Sequence, residues 1–229
     1  MIAGPLREVL LPSLSPCEYF KGPCADKCLW KPQLGFVPRG YFGATGNLND
    51  VELILVTAEP GDPADGEVYI GQPEEILQKY LTEVESHFRN ESLRRSGRAA
   101  PYHVGINTIL SYFLPNDDFD SRWKKTWLTD AVLCSAKVSG GQIDKVVELT
   151  CGNAYLRKQL ELFPSAYVLA LGNKANNRIR RCGLKSNAVT VHPSFHWKGK
   201  AFNKAKWQQA AKDFRVWREV QDNKVDSQS

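Results

Sequence analysis

Three short stretches of this sequence carry side chains able to do chemistry, and each is tied to an apolar run. Ala58-Glu59-Pro60-Gly61 follows the run Val51–Thr57, Asp130 lies within Thr126–Leu133, and His192-Pro193-Ser194 follows Asn187–Val191. A carboxylate, an imidazole and a second carboxylate are groups that move protons and steady charge. The cysteines form another set. Cys17, Cys24 and Cys28 cluster near the start, Cys134 and Cys151 sit in mid-chain, and Cys182 reads as a plain buried residue. In a cytoplasmic chain such cysteines are not a disulfide framework. Their grouping is what a metal or iron–sulfur site needs, because thiolates from distant segments must converge on one centre. Scattered core cysteines are the alternative.

The elements that must position these groups alternate. Strands are expected at Val51–Thr57, Thr126–Leu133, Ala166–Leu171 and Asn187–Val191, and helices at 73–93, 101–114, 144–163, 173–181 and 202–220. Continuous aliphatic, β-branched runs suit parallel strands buried on both faces. Alternation with helices gives a parallel sheet covered on both sides, and ligands bind beyond the carboxyl ends of its strands. The expectation is α/β: one three-layer α/β/α sandwich over residues 1–229 with a central four-stranded parallel sheet. Residues 1–50, rich in Pro, Gly and Cys, read as an irregular cap, and 222–229 as a loose tail.

A chain of 229 residues suffices for one such domain. With 42% hydrophobic and 24% charged residues, general disorder is excluded. No apolar stretch approaches the roughly 20 residues of a membrane span, and the N-terminus lacks a secretory pattern, so a cytoplasmic protein is expected. The net charge of +5 is uneven: from Arg178 to Ser229 there are 12 Lys and Arg against 4 Asp and Glu. A basic quarter suggests a face that meets a polyanion, most simply nucleic acid, with a solvated basic helix as the alternative.

Five segments in order carry a resemblance. They are Val56-Thr-Ala-Glu-Pro-Gly61, Gly66-Glu-Val-Tyr-Ile-Gly71, the pair Cys134 and Cys151 with Tyr155-Leu-x-x-Gln-Leu, Tyr167-Val-Leu-Ala-Leu-Gly172, and Val191-His-Pro-Ser194. Over about Cys24 to Ser194 the sequence resembles the uracil-DNA glycosylase superfamily, with the iron–sulfur branch the more similar. The resemblance implies a monofunctional, usually monomeric DNA glycosylase that flips a nucleotide out of the stack and hydrolyses its N-glycosidic bond. Glu59 is then the carboxylate that stabilises the oxocarbenium-like sugar and orients water. It stands one place later than the acid of the iron–sulfur branch's Gly-Glu-Ala-Pro-Gly, where the uracil-specific branch carries its Asp; Asp62 and Asp65 are nearby reserves. His192 is the neutral donor to the departing base. A surface-loop acid and a strand-capping histidine are the plain alternatives.

The same resemblance implies base contacts at Ala58, Gly61, Tyr69 and Asp130. Tyr69 matches the aromatic that stacks on the flipped base, an interior tyrosine being its competitor, and Gly61 leaves the side of the pocket near a 5-substituent open. Ser194, Phe195, His196, Trp197, Lys198 and Lys200 are expected to meet DNA, as wedge or phosphate contacts. A structural [4Fe–4S] cluster is implied on Cys24, Cys28, Cys134 and Cys151, with Cys17 as an alternative ligand, zinc as the alternative metal, and no nucleotide cofactor. Here three residues separate Cys24 from Cys28, where the branch usually has two.

Asp130 departs from the Asn of most of the superfamily. A protonated Asp accepts from cytosine N4–H and donates to N3, whereas Asn suits uracil. The expected target is therefore a modified cytosine, 5-hydroxymethylated or glucosylated, in phage DNA, with abasic sites as an antiviral defence. Uracil excision in base-excision repair and a non-catalytic DNA-binding module are the alternatives. A thiolate–metal protein unrelated to DNA would leave the basic quarter unexplained.

Overall fold

In the computed structural model the described residues are 2–64, 66–90, 101–138, 141–194 and 200–226. In chain order they form α1 (Gly4–Leu10), β1 (Phe42–Gly43), β2 (Leu53–Thr57), α2 (Pro73–Arg89), α3 (Pro101–Phe113), α4 (Phe119–Lys124), β3 (Thr126–Asp130), α5 (Lys145–Cys151), a π-helical turn (Gly152–Leu156), α6 (Arg157–Glu161), β4 (Tyr167–Leu171), α7 (Asn173–Arg181), β5 (Ala188–Thr190) and α8 (Lys200–Asp226). The aliphatic runs become strands because they are covered on both faces: every residue of β2, β3 and β4 is buried. Sheet order is β1-β3-β2-β4-β5, with β3, β2, β4 and β5 parallel.

Helices cover both faces. On one side α2 packs on α3 and α3 on α8; on the other α5, the π turn and α6 run into α7. α2 begins where its sequence dictates. Pro73 stands in the first turn, Gln72 and Glu75 form a reciprocal capping box, and Ile76, Leu77, Tyr80, Leu81, Val84 and Phe88 make the buried stripe.

The three-layer α/β/α class stands, with corrections of detail. The sheet has a fifth strand, β1, antiparallel to β3 through Phe42↔Leu128 and Gly43↔Trp127. Two residues are too short to show a period. The cap is also less irregular than expected, since it holds α1 and short 3-10 turns. The second strand stops at Asp130, and the first long helix at Arg89. The 144–163 helix is interrupted by the π turn, and α8 continues through Asp226 into the expected loose tail, where no Gly or Pro interrupts it.

This topology makes a crevice. From β2 the chain crosses first to β3 on one side, then to β4 on the other, so the order reverses between β2 and β4. Loops leaving the carboxyl ends on either side of such a switch point diverge and open a cleft.

Candidate active site

The strand ends enclose a cleft of about 1790 Å³, and Ala58, Glu59, Gly61, Tyr69, Asp130, His192 and Ser194 all line it. Register explains part of this. Thr57 pairs with Asp130 across β2 and β3, so their side chains leave the same face. The Thr57 hydroxyl donates to Asp130 Oδ1.

Glu59 lies two residues past β2, and its side chain is only 7% exposed. Lys174, three residues past β4, meets Oε1, and Arg178 from α7 meets Oε2. The two carboxylate oxygens are thus fixed from across the switch point. Arg178 is itself buried; Nε bonds Glu148 Oε1 at 2.8 Å and Nη1 bonds the Ala58 carbonyl at 2.6 Å. Arg181 completes the chain on Glu148 Oε2. Lys174 also donates to the Gly141 carbonyl at 2.8 Å.

His192 is held as a neutral donor. The Ser194 backbone N–H donates to Nδ1 at 3.2 Å. A neutral ring that accepts at Nδ1 carries its proton on Nε2. Burial holds the imidazole down to about 4, against the opposing pull of Glu59. Two helices brace this turn. Trp207 of α8 donates to the Val191 carbonyl at 3.0 Å, and α3 lies on Pro193 at Gly105, where a Cβ would come within 2.6 Å of the proline ring.

Asp130 is 2% exposed. Burial pushes its carboxyl up to about 8; the Thr57 hydrogen bond opposes that, Glu59 adds to it, and Arg178 and Arg39 oppose it again. The group is therefore protonated near neutrality, with Oδ1 already accepting from Thr57. Tyr102 of α3 lies beside Thr57 and Asp130, with its ring 6.0 Å from that of His192. Around Gly61 a Cβ would meet nothing within 4 Å, so this side of the cleft is open. Tyr69, by contrast, is 1% exposed, edge-on to Tyr80 with ring centroids 6.1 Å apart and with Lys79 5.7 Å from its ring.

A profile of the uracil DNA glycosylase superfamily matches residues 44–217. The chain belongs to that superfamily. Its members are DNA glycosylases, hydrolases that act on DNA and serve its repair. No curated protein matches the chain. The superfamily span takes in Glu59, Asp130 and His192 but stops short of Cys17, Cys24 and Cys28. No described helix is long and apolar enough to cross a membrane.

Phe195, His196, Trp197, Lys198 and the reserve acid Asp65 lie outside the described residues. Lys200 opens α8. The cleft also holds Arg39, Gly40, Tyr80, Tyr102, His103 and Lys174, which sequence reasoning passed over. Only Lys174 carried a signal, its place just beyond a strand's carboxyl end. The others come from the cap or from helix faces and had none.

A second, small pocket is lined by Cys17, Cys24, Cys28, Cys134 and Cys151 with apolar neighbours. All five thiols are free and buried. Burial and the neighbouring Cys28 and Cys17 push Cys24 up to about 11. The hydrogen bond between Cys28 and Cys134 holds the first down and pushes the second up. Cys17 Sγ lies 3.0 Å from the Tyr155 hydroxyl. Among the described residues no three His, Cys, Asp or Glu side chains are arranged to hold a single metal ion. Cys182 stands apart, its Sγ facing the Glu148 carbonyl at 3.7 Å.

Proposed function

We propose that this protein is a monofunctional DNA glycosylase that excises a modified cytosine, 5-hydroxymethylated or glucosylated, and leaves abasic sites in phage DNA as an antiviral defence. The observation that carries the reading is Asp130, a buried carboxyl that keeps its proton up to about 8. With Oδ1 accepting and the other oxygen donating, the group offers the pattern complementary to cytosine N4–H and N3. The open side at Gly61 leaves room for a substituent on the base, and a cleft of about 1790 Å³ has space for a flipped nucleotide.

In this reading Glu59 faces the sugar. Its fixed carboxylate stabilises positive charge developing at C1′ and orients the attacking water. His192 Nε2–H donates to the base oxygen as the glycosidic electrons arrive, and a preorganised donor of this kind contributes about 3 kcal/mol to the transition state. Lys174 is tied to Glu59 and the Gly141 carbonyl, and water oriented by Glu59 is the nucleophile in this reading.

The five converging thiols fit a [4Fe–4S] cluster, held by Cys24, Cys28, Cys134 and Cys151 with Cys17 as the alternative ligand. Each thiolate would bind a different iron of such a cluster, with zinc as the alternative metal. Bound there, the cluster would tie the cap to Cys134 after β3 and Cys151 of α5 and would supply no chemistry to the cleft.

The test is abasic-site formation by wild type and Glu59→Gln on phage DNA carrying modified cytosine, beside uracil-containing DNA. Sites in the modified DNA alone, lost in the variant, are expected. Sites in uracil DNA alone would return the protein to uracil repair. Binding without sites in either DNA would make it a non-catalytic module.

A further inference from the structure

Arg39 and Gly40 belong to the N-terminal cap, ahead of the span that the superfamily profile matches. Arg39 is 6% exposed, an unusual burial for a guanidinium. Its Nη1 donates to the Gly35 carbonyl at 3.0 Å and meets Glu67 Oε2 at 3.4 Å. Its Nη2 donates to the Gly61 carbonyl and to Ser135 Oγ, the latter at 3.3 Å. The Ser135 hydroxyl donates to the same Gly61 carbonyl at 3.1 Å. Behind them, the Arg39 backbone N–H donates to the Leu133 carbonyl at 2.8 Å, and the Leu133 N–H points at Cys151 Sγ at 3.4 Å.

Gly40 is placed just as tightly. It adopts φ +91°, and a Cβ there would collide with Asp130 Oδ2. Its N–H donates to the Tyr80 hydroxyl at 2.9 Å, fixing the peptide over the carboxyl. One dipeptide therefore touches the wall of the thiol pocket, the Gly61 turn and the carboxyl of Asp130. Nothing in the strand–helix pattern requires this. A buried arginine could be satisfied within the cap, yet two donors converge on a single carbonyl of the cleft.

We infer that Arg39 is a positioning residue and Gly40 a wall of the base pocket, and that through them the cysteine-bearing cap holds the Gly61 turn and the Asp130 carboxyl in the arrangement that selects the base. This rests on Asp130 as the base reader. Loss of the Arg39 charge raises the Asp130 midpoint in either case, but a merely structural strut would leave the preference between bases where it is. A positioning role moves it. The charged and titratable groups facing Asp130 are Glu59 beyond β2, Arg178 of α7, Arg39 of the cap, and the hydroxyls of Tyr80 and Tyr102. Arg39 favours the ionised form, so its loss raises the midpoint.

The experiment compares Arg39→Met and Arg39→Lys with wild type. Isotope-edited NMR of the aspartate carboxyl carbons follows Asp130, assigned from Asp130→Asn, and excision is measured on duplexes containing 5-hydroxymethylcytosine or uracil. Arg39→Met is expected to raise the Asp130 midpoint, lower kcat/KM on the order of 100-fold, and narrow the preference between the two bases. Arg39→Lys restores the midpoint but only part of the rate, because it keeps the charge and loses the fork. A folded Arg39→Met protein with the wild-type base preference would overturn the inference, whatever its midpoint. Should Arg39→Met fail to fold, Ser135→Ala removes one donor to the Gly61 carbonyl; a raised KM with an unmoved midpoint supports the inference, and an unchanged KM refutes it. Wild type that releases only uracil would sink the cytosine reading by itself, while the kcat/KM of Arg39→Met and Arg39→Lys on uracil still decides the role of Arg39.

Discussion

Asp130 shows what one atom exchange does when the surroundings are apolar. At the surface an aspartate is an acceptor only. At 2% exposure and close to Glu59, and despite the Thr57 hydrogen bond, it becomes a donor and acceptor up to about pH 8. Two consequences are measurable. Excision of the modified cytosine is expected to hold its rate from mildly acid pH up to about 8 and to fall above it, as the donor to N3 is lost. His192, held down to about 4, does not limit the acid side until well below neutrality. Asp130→Asn keeps an acceptor at Oδ1 and puts an amide donor in place of the titrating O–H, so it removes the basic limb. Steady-state excision on matched duplexes between pH 5 and 10 checks both; a basic limb that survives in the Asn variant would assign it to another group. Linkage has the same sign. A carboxyl raised by folding supports the fold most below its ordinary range near about 4 and no longer does so above about 8. The identity of Asp130 was legible in the sequence because a strand end placed it. Its protonation was not, since it depends on how Gly40 of the cap, Tyr80 of α2 and Tyr102 of α3 close over the strand end.

At the scale of elements, the four parallel strands and α7 were legible because their apolar runs and breakers agree with the tertiary setting. β1, α1 and the π turn were not, being too short or compatible with ordinary helix. The function of α7 was equally hidden. Ala175 and Ile179 read as its buried face, and Arg178, on that same face, reads as a misplaced charge. The structure resolves this: Arg178 joins Glu59 on the β2 turn to Glu148 on α5, and α7 thereby carries the clamp on the carboxylate proposed to act on the sugar. Breaking such a buried set from one side leaves uncompensated charge, at a cost of about 3–5 kcal/mol. Arg178→Met is therefore expected to unfold at markedly lower urea and to lose excision, since Glu59 is no longer fixed. Pairing it with Glu148→Gln, which removes one orphaned charge, should recover part of the stability but not the activity. Equilibrium urea unfolding of wild type and both variants checks this. Stability unchanged in Arg178→Met would mean that Glu59 and Glu148 are adequately solvated without it, contrary to their 7% and 5% exposure.

For the whole molecule, the uneven charge of the sequence overstates the surface that DNA can use. Of the basic residues after position 177, Arg178 and Arg181 are tied to Glu59 and Glu148, Arg218 pairs with Glu52, and Arg215 bonds the Tyr112 carbonyl. Of these Arg178 is buried, while Arg181, Arg215 and Arg218 are partnered at the surface. Lys206 differs: it lines the cleft beside the Phe202 ring, 5.7 Å away, and has Lys174 across the same opening. A polyanion entering along the cleft meets Lys206, whereas Arg181 faces the helical layer. Duplex binding releases about 0.9 counterion for each phosphate neutralised. Lys206→Gln is accordingly expected to reduce the slope of log K against log salt by about 1, to weaken binding similarly on all sequences, and to leave urea unfolding at wild type. Arg181→Gln should do the reverse, keeping the slope and losing stability, because it uncovers Glu148. Fluorescence-anisotropy titrations of a labelled duplex over a salt series, run with both variants, separate the two roles. An unchanged slope in Lys206→Gln would move the DNA path away from this side of the cleft. The DNA face would then have to be sought among the basic residues of α7 and α8 away from the cleft, since Arg178, buried between Glu59 and Glu148, has little left to offer a phosphate.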